Sequence, residues 1–221
     1  MDFKRSGSKE RVSKIHGFTL VELLLIIVIV VVGVGFLLPA LWRSKVKVRR
    51  DQCINNLKQA GICFRIWNSG SSGDFPMQYS TNQEGSKEYI LGGNAFRHFQ
   101  CLSNELADAK VLFCPTDLRT RATNFTSLQN SNVSYFVAVD ADETVPSMLL
   151  AGDRNLMTNG IAVDTGLAAV KTNYVMDWTE KMHNGQGNIL FADGHVGQLD
   201  NMQLQEALIH TGTNMNRLAI P

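Results

Sequence analysis

The chain has 221 residues, of which 44% are hydrophobic, and a formal net charge of +1 at pH 7. Its near-neutral charge gives no indication of a nucleic-acid partner, and its length suffices for one domain plus an anchor. The sequence contains no P-loop, no GxGxxG and no G-x-S-x-G signature. We therefore expect a protein that is not an enzyme.

The chain opens with a basic segment, residues 1–17, followed by an apolar run. No charged residue occurs between Leu23 and Trp42. A secretory signal peptide has a shorter apolar core and a small-residue cleavage site, whereas about 20 apolar residues span a bilayer. The pattern predicts a transmembrane or fibre-core helix over residues 18–42, with a simple signal anchor as the alternative.

Glu22 is the one acidic residue at the start of this apolar helix. A carboxylate inside a membrane segment is costly and usually functional. If the chain is cut after Gly17, Phe18 becomes the first residue, and its α-amino group is cationic near neutral pH. Glu22 would then neutralise the terminal amine of a neighbouring subunit and set the axial register of a filament.

The helix is predicted to continue through residues 43–70 with a different pattern. An apolar residue recurs there at steps of four, three, four and three, namely at Cys53, Leu57, Ala60, Phe64 and Trp67. This spacing places all of them on one face of an amphipathic helix. We expect that face to dock on a globular head.

Residues 71–221 are predicted to form this head. The clearest element is a hairpin whose strands, NILFAD and HVGQL, flank the turn at Asp193-Gly194. The other predicted elements are a helix over 103–110, strands over 111–114, 134–139 and 147–153, and a helix over 203–210. The fold class that follows is α+β, with a long helix packed on a small antiparallel sheet and irregular loops.

Two motifs resemble those of a known family. Gly17-Phe18-Thr19-Leu20-Val21-Glu22 resembles the cleavage and methylation motif of type IV prepilins and type II secretion pseudopilins. His183, nine residues and then Asp193-Gly194 resemble the C-terminal motif of a pilin-like family abundant in planctomycetes. The segments CINNLKQAG and FCPTD are also similar to that family, and the motif region covers residues 183–199.

The resemblance implies a function in filament assembly. A prepilin peptidase would cut after Gly17, Phe18 would be methylated, and Glu22 would act in assembly. The partners would be copies of the chain or other pseudopilins, a secretion or pilus assembly platform, and the lipid bilayer. The protein would lie in a bacterial inner membrane with a periplasmic or extracellular head. The alternative is a membrane-anchored periplasmic binding module or adhesin that uses prepilin processing without forming a pseudopilus.

The chain has four cysteines, which allow three complete pairings. Cys53 and Cys63 cannot pair, because ten residues of helix separate them by about 15 Å. The resemblance favours a bond between Cys53 and Cys114, since both lie in segments that match the family.

Two places in the head contain residues of the types that bind metals. Turn chemistry already explains Asp193-Gly194, so we expect a structural role in which His183 hydrogen-bonds the hairpin. Zinc is disfavoured because no cysteine stands at a suitable spacing from the histidines. Asp140, Asp142 and Glu143 are calcium candidates by composition alone. The expectation is no cofactor, with calcium as the open alternative.

Overall fold

The computed structural model describes residues 17–71 and 73–221, except for the side chains of residues 37–44. The chain divides into two compact units, Met1–Lys45 and Val46–Pro221. The predicted leader, residues 1–17, lies outside the described residues apart from Gly17. The fold class is α+β, as the sequence predicts.

Helix α1 extends from Leu20 to Gly70 and belongs to both units. Among the residues that the structure describes, none of the helices combines the length and apolar content needed to cross a bilayer. In the second unit the predicted apolar face is confirmed. Its members are at most 8% exposed, namely Cys53, Leu57, Ala60, Phe64 and Trp67.

The second unit contains two antiparallel sheets in the described chain. The strands are Tyr135–Ala138 (β1), Leu149–Asp153 (β2), Leu156–Thr158 (β3), Ile161–Ala162 (β4), Gly166–Lys171 (β5), Met176–Trp178 (β6), Gly187–Phe191 (β7), Val196–Leu199 (β8) and Met215–Ile220 (β9). The larger sheet has the order β5-β9-β1-β2-β7-β8, and the smaller sheet has the order β4-β3-β6. Two further α-helices are Ala95–Gln100 (α2) and Asn201–Ile209 (α3).

The central strands of the larger sheet are buried on both faces, because side chains alternate between two cores. Tyr135 and Val137 of β1 join the core that contains the buried face of α1. Phe136 joins the second core, which contains Leu204 of α3 and Trp178 of the smaller sheet. The larger sheet therefore separates α1 on one side from α3 and the smaller sheet on the other.

Helix α3 also covers an edge of the smaller sheet. The backbone N–H of Met176 donates to Oε1 of Gln205 at 2.9 Å, and that of Trp178 donates to Oδ1 of Asn201 at 2.9 Å. These donors belong to β6, whose one strand neighbour among the described residues is β3. Side-chain amides of α3 thus occupy the positions that another strand would take.

Several sequence-based assignments in the head are correct. The structure contains the predicted strands near 134–139 and 147–153, the 187–199 hairpin, and the C-terminal helix, each within a few residues. Strands β3 to β6 and β9 lie in regions for which the sequence pattern predicts no element.

Two assignments are wrong. Residues 103–110 contain a turn, a bend and the start of a 3-10 helix, and the α-helix lies earlier, at Ala95–Gln100. Residues 111–114 are not a strand, because a 3-10 helix, Ala109–Leu112, begins where Asp108 accepts from the backbone N–H of Lys110. The carbonyl of Phe113 then accepts from Nδ2 of Asn56 at 2.9 Å instead of joining a sheet.

A buried histidine lies on α2. His98 is fully buried, and its Nδ1 lies 2.8 Å from Oγ of Ser86. Burial lowers the pKa of His98 to about 4, because removal from water disfavours the charged imidazole. The ring is therefore neutral at pH 7.

Candidate functional site

The N-terminal end of α1 begins with a reciprocal pair of hydrogen bonds. The backbone N–H of Glu22 donates to Oγ1 of Thr19 at 3.2 Å, and the backbone N–H of Thr19 donates to Oε2 of Glu22 at 3.2 Å. This is a capping box, which satisfies backbone donors that have no partner within the helix. Gly17 and Phe18 are exposed just before it. Glu22 thus has a structural partner within its own chain.

Cys53 and Cys114 form a disulfide in the structure, the pair that the family resemblance favours. Cys53 lies on the buried face of α1, and Cys114 follows the 3-10 helix Ala109–Leu112. The backbone N–H of Cys114 donates to Oγ of Ser134 at 3.0 Å. The disulfide joins α1 to the segment that precedes β1, while Cys63 and Cys101 are free thiols.

His183 lies beside this disulfide in a strained loop. Three consecutive residues have positive φ angles, namely His183 at 47°, Asn184 at 52° and Gly185 at 70°. A non-glycine residue in this conformation costs free energy and persists only when its surroundings hold it. Nη2 of Arg50 donates to the carbonyl of His183 at 2.7 Å, which fixes the loop to α1.

The His183 ring lies between sulfur and carboxylate groups. Its Nε2 is 3.3 Å from Sγ of Cys114 and 3.4 Å from Oδ2 of Asp153. Oγ1 of Thr116 lies 3.4 Å from the other ring nitrogen. The expectation that His183 hydrogen-bonds the hairpin is wrong, because its ring contacts end on Cys114, Thr116 and Asp153 instead.

Asp153, at the end of β2, is the acidic member of this site. Its Oδ2 accepts from the backbone N–H of Asn188 at 2.7 Å and from Nδ2 of the same residue at 2.8 Å, while Oδ1 is buried without a hydrogen-bond partner. Burial raises the pKa of Asp153 to about 7. Burial, and next the Arg50 charge, lower the pKa of His183 to about 4. In both residues, burial disfavours the charged form of the side chain.

The two ends of the family motif are not brought together. Asp193 accepts from the backbone N–H of His195 at 2.9 Å within the turn, and Gly194 has a φ of 87°. The carbonyl of Asp193 accepts from Nη1 of Arg65 at 2.8 Å. Both motif ends therefore bind arginines of α1, Arg50 and Arg65, which are roughly 22 Å apart along the helix.

A close approach occurs between these two anchors. A Cβ added at Gly61 of α1 would lie 2.7 Å from Cδ1 of Leu190 on β7. Real Cβ atoms do not come this close, so glycine allows the strand to pack directly on the helix. Gly61 and Arg65 thus contact the hairpin, while Arg50 holds the loop that precedes it.

The calcium candidates have separate partners. Asp140 accepts from Nε of Arg217 at 3.0 Å, and Oδ1 of Asp142 accepts from the backbone N–H of Thr144 at 2.8 Å. Glu143 instead accepts from Nδ2 of Asn68 on α1. Among the described residues these three carboxylates do not converge, and calcium binding here stays an untested expectation.

A cavity of about 300 Å³ opens beside His183. It is lined by the start of the second unit, the segment after Cys114 and the His183 loop. Three of its lining residues are cationic, namely Arg49, Arg50 and Lys181, and two are acidic, namely Asp117 and Glu180. Both hydrogen bonds of Arg50 end on neutral acceptors, the His183 carbonyl and Oε1 of Gln186.

Sequence reasoning did not identify Arg50, Thr116 or Asp153 as site residues. Thr116 lies within FCPTD, which the resemblance had already marked. No local signal distinguishes Asp153 or Arg50, since their partners are distant in sequence. Comparisons with models of protein families, with curated proteins and with solved structures find no match to this chain.

Proposed function

We propose that the chain is a structural subunit of a type IV pilus-like or type II secretion pseudopilus filament, cut after Gly17 and polymerised through the first part of α1. The observation that carries the proposal is the exposed apolar surface between Leu20 and Phe36. Its fourteen Leu, Ile, Val and Phe side chains are 42% to 77% exposed. Monomeric soluble proteins rarely expose contiguous apolar patches of this kind.

This surface requires cover from outside the chain. Burying one such side chain fully contributes about 1.5–3 kcal/mol, so the total driving force over the segment is large. Apolar residues occupy every side of the helix, which suits a lipid environment before assembly and several neighbouring helices after it. We propose that this surface is buried first in the inner membrane and then against copies of the chain or related subunits.

Mass spectrometry of the mature protein tests the processing step. The expected N-terminus is methylated Phe18, produced by a prepilin peptidase. An N-terminus at any other residue would remove the support for this proposal.

The capping box allows a sharper test of Glu22. Glu22→Gln keeps an acceptor for Thr19, because glutamine also forms capping boxes, but it removes the charge. Thr19→Ala removes the cap and keeps the charge. If Glu22 pairs with a neighbouring terminal amine, Glu22→Gln is processed but fails to assemble, and Thr19→Ala assembles. If instead Glu22→Gln assembles and Thr19→Ala does not, the role of Glu22 is to cap the helix and not to pair with a neighbouring amine.

A second candidate is a membrane-anchored binding module, favoured by the cavity beside His183. Arg50 is half-buried there, and its two hydrogen bonds to described residues end on neutral groups, so an anionic group would suit its charge. Deleting the assembly genes distinguishes the two candidates. Loss of surface fibres or of secretion supports the filament subunit, whereas a monomeric, ligand-binding protein without fibres supports the module.

A further inference from the structure

Two cysteines and one histidine converge in the buried centre of the second unit. The sulfur atoms of Cys53 and Cys114 and a ring nitrogen of His183 all lie within 4.8 Å of one another. These are the ligand types that bind zinc in proteins. We propose that the chain, once its disulfide is reduced, binds a thiophilic dication such as Zn²⁺ through Cys53, Cys114 and His183.

The distances suit a tetrahedral ion. Zinc bonds of about 2.3 Å to sulfur and 2.0–2.1 Å to nitrogen place neighbouring ligand atoms about 3.5–3.8 Å apart. Nε2 of His183 is already 3.3 Å from Sγ of Cys114. Reduction separates the two sulfur atoms to van der Waals distance, which is similar to their separation on zinc. The Cα atoms are 5.2 Å apart, so side-chain rotation suffices for this change.

The surroundings supply further features of a metal site. Oγ1 of Thr116 lies 3.0 Å from Sγ of Cys114, where it can hold a water molecule in the fourth position. The unpartnered Oδ1 of Asp153 belongs to the carboxylate that contacts His183. A nearby cation would offset the cost of leaving that oxygen buried. The cavity lined by Thr116 and His183 gives a route for the ion.

The disulfide and the metal exclude each other chemically. A dithiol reductant transfers two electrons and two protons to the Cys53–Cys114 bond, which breaks to two thiols while the reductant becomes a disulfide. Zn²⁺ then binds both sulfur atoms and releases two protons to solvent. Either state links α1 to the segment before β1. The metal would maintain this link in a reducing compartment, before oxidation forms the disulfide.

Zinc titration of the full chain in detergent micelles tests the proposal. Cys63→Ser and Cys101→Ser provide a background without the other thiols. The chain is reduced with dithiothreitol, freed of it by gel filtration under argon, and titrated with ZnCl₂ against a chromophoric chelator. We expect one tightly bound Zn²⁺ per reduced chain and none per oxidised chain. Equal binding in both redox states would overturn the proposal.

Histidine variants identify the third ligand. In the same background, His183→Gln should weaken zinc binding at least about tenfold, and His195→Gln, at an exposed histidine, should leave it unchanged. Equal affinities for the two variants would contradict the proposed role of His183. Circular dichroism first establishes that both variants are folded.

Thiol alkylation of the reduced wild-type chain tests the zinc site without any variant, so its result does not depend on whether a variant folds. Mass spectrometry should show that ZnCl₂ protects Cys53 and Cys114 from iodoacetamide and leaves Cys63 and Cys101 unaffected. If zinc changes the labelling of none of the four, or of all four equally, the proposed site does not exist.

Discussion

The two parts of helix α1 carry their apolar residues in different arrangements. Between Leu20 and Phe36 apolar side chains occupy all sides and are exposed, with Glu22 as the single charge. Between Cys53 and Trp67 most of them form one buried face, while Ile62 and Ile66 are exposed together with Lys58. A narrow face can be covered by the chain's own sheet, whereas a fully apolar helix needs neighbours on every side.

Removal of the disulfide is expected to have the largest effect on stability. The effect should be confined to the second part of α1 and the head that packs on it. The bond closes a loop with a sequence separation of 61 residues, for which the chain-entropy relation gives about 4 kcal/mol. Cys53→Ser with Cys114→Ser should lower the free energy of unfolding of the head by this order, measured by urea denaturation in detergent.

Cys101→Ser, at a half-buried free thiol, is the control and should change the free energy by less than about 1 kcal/mol. A double variant as stable as the wild type would show that the head does not depend on this link. The helicity of the first part should be the same in all variants.

Acid should destabilise the head through His98. The described residues before Lys45 contain no histidine, so no similar effect is expected there. The native pKa is about 4, below the usual value of about 6.5, so the unfolded chain binds more protons. The His98 contribution to stability is therefore retained above about pH 6.5 and declines as pH falls toward 4. The loss between pH 7 and pH 4.5 should be about 2–3 kcal/mol.

His98→Gln should remove this part of the pH dependence, as seen in urea midpoints at the two pH values. His210→Gln, at an exposed histidine, should leave the dependence intact. An unchanged pH profile in His98→Gln would assign acid sensitivity to other groups.

A pair of glycine substitutions gives the smallest expected effect and compares the two parts directly. Gly61→Val brings new atoms against Leu190 and should destabilise the head by about 1–3 kcal/mol. Gly33→Val meets no atom within 4 Å of its Cβ and should leave head unfolding unchanged. Equal urea midpoints for the two variants would show that the hairpin does not need this close contact.

Local patterns predicted the elements whose cause is local. The apolar spacing from Cys53 to Trp67 predicts the buried face of α1, and Asp193-Gly194 predicts its hairpin. Residues 111–114 resemble a buried strand in composition, but Asn56, far away in sequence, binds the Phe113 carbonyl. Because that partner is not visible in a local window, the pattern gave the wrong element.

The centre of the site was predictable only in part. The family resemblance indicated the Cys53–Cys114 bond and, separately, His183, but not that His183 lies beside the bond, since 69 residues separate Cys114 from His183. Asp153 is one acid among many in the sequence, and its position beside His183 follows from the pairing of β2 with β7. Spacing rules for metal ligands do not cover Cys53, Cys114 and His183, because the three residues come from a helix and two separate loops.

The covering of β6 by α3 has a consequence for crowded surroundings. Unpaired strand edges bind one another when many copies are held close together, which leads to aggregation. Gln205 and Asn201 occupy outward donors of that edge within the same molecule. Heads concentrated on a membrane surface or along a fibre would therefore be protected from joining through this edge, so that contacts between copies are left to other surfaces.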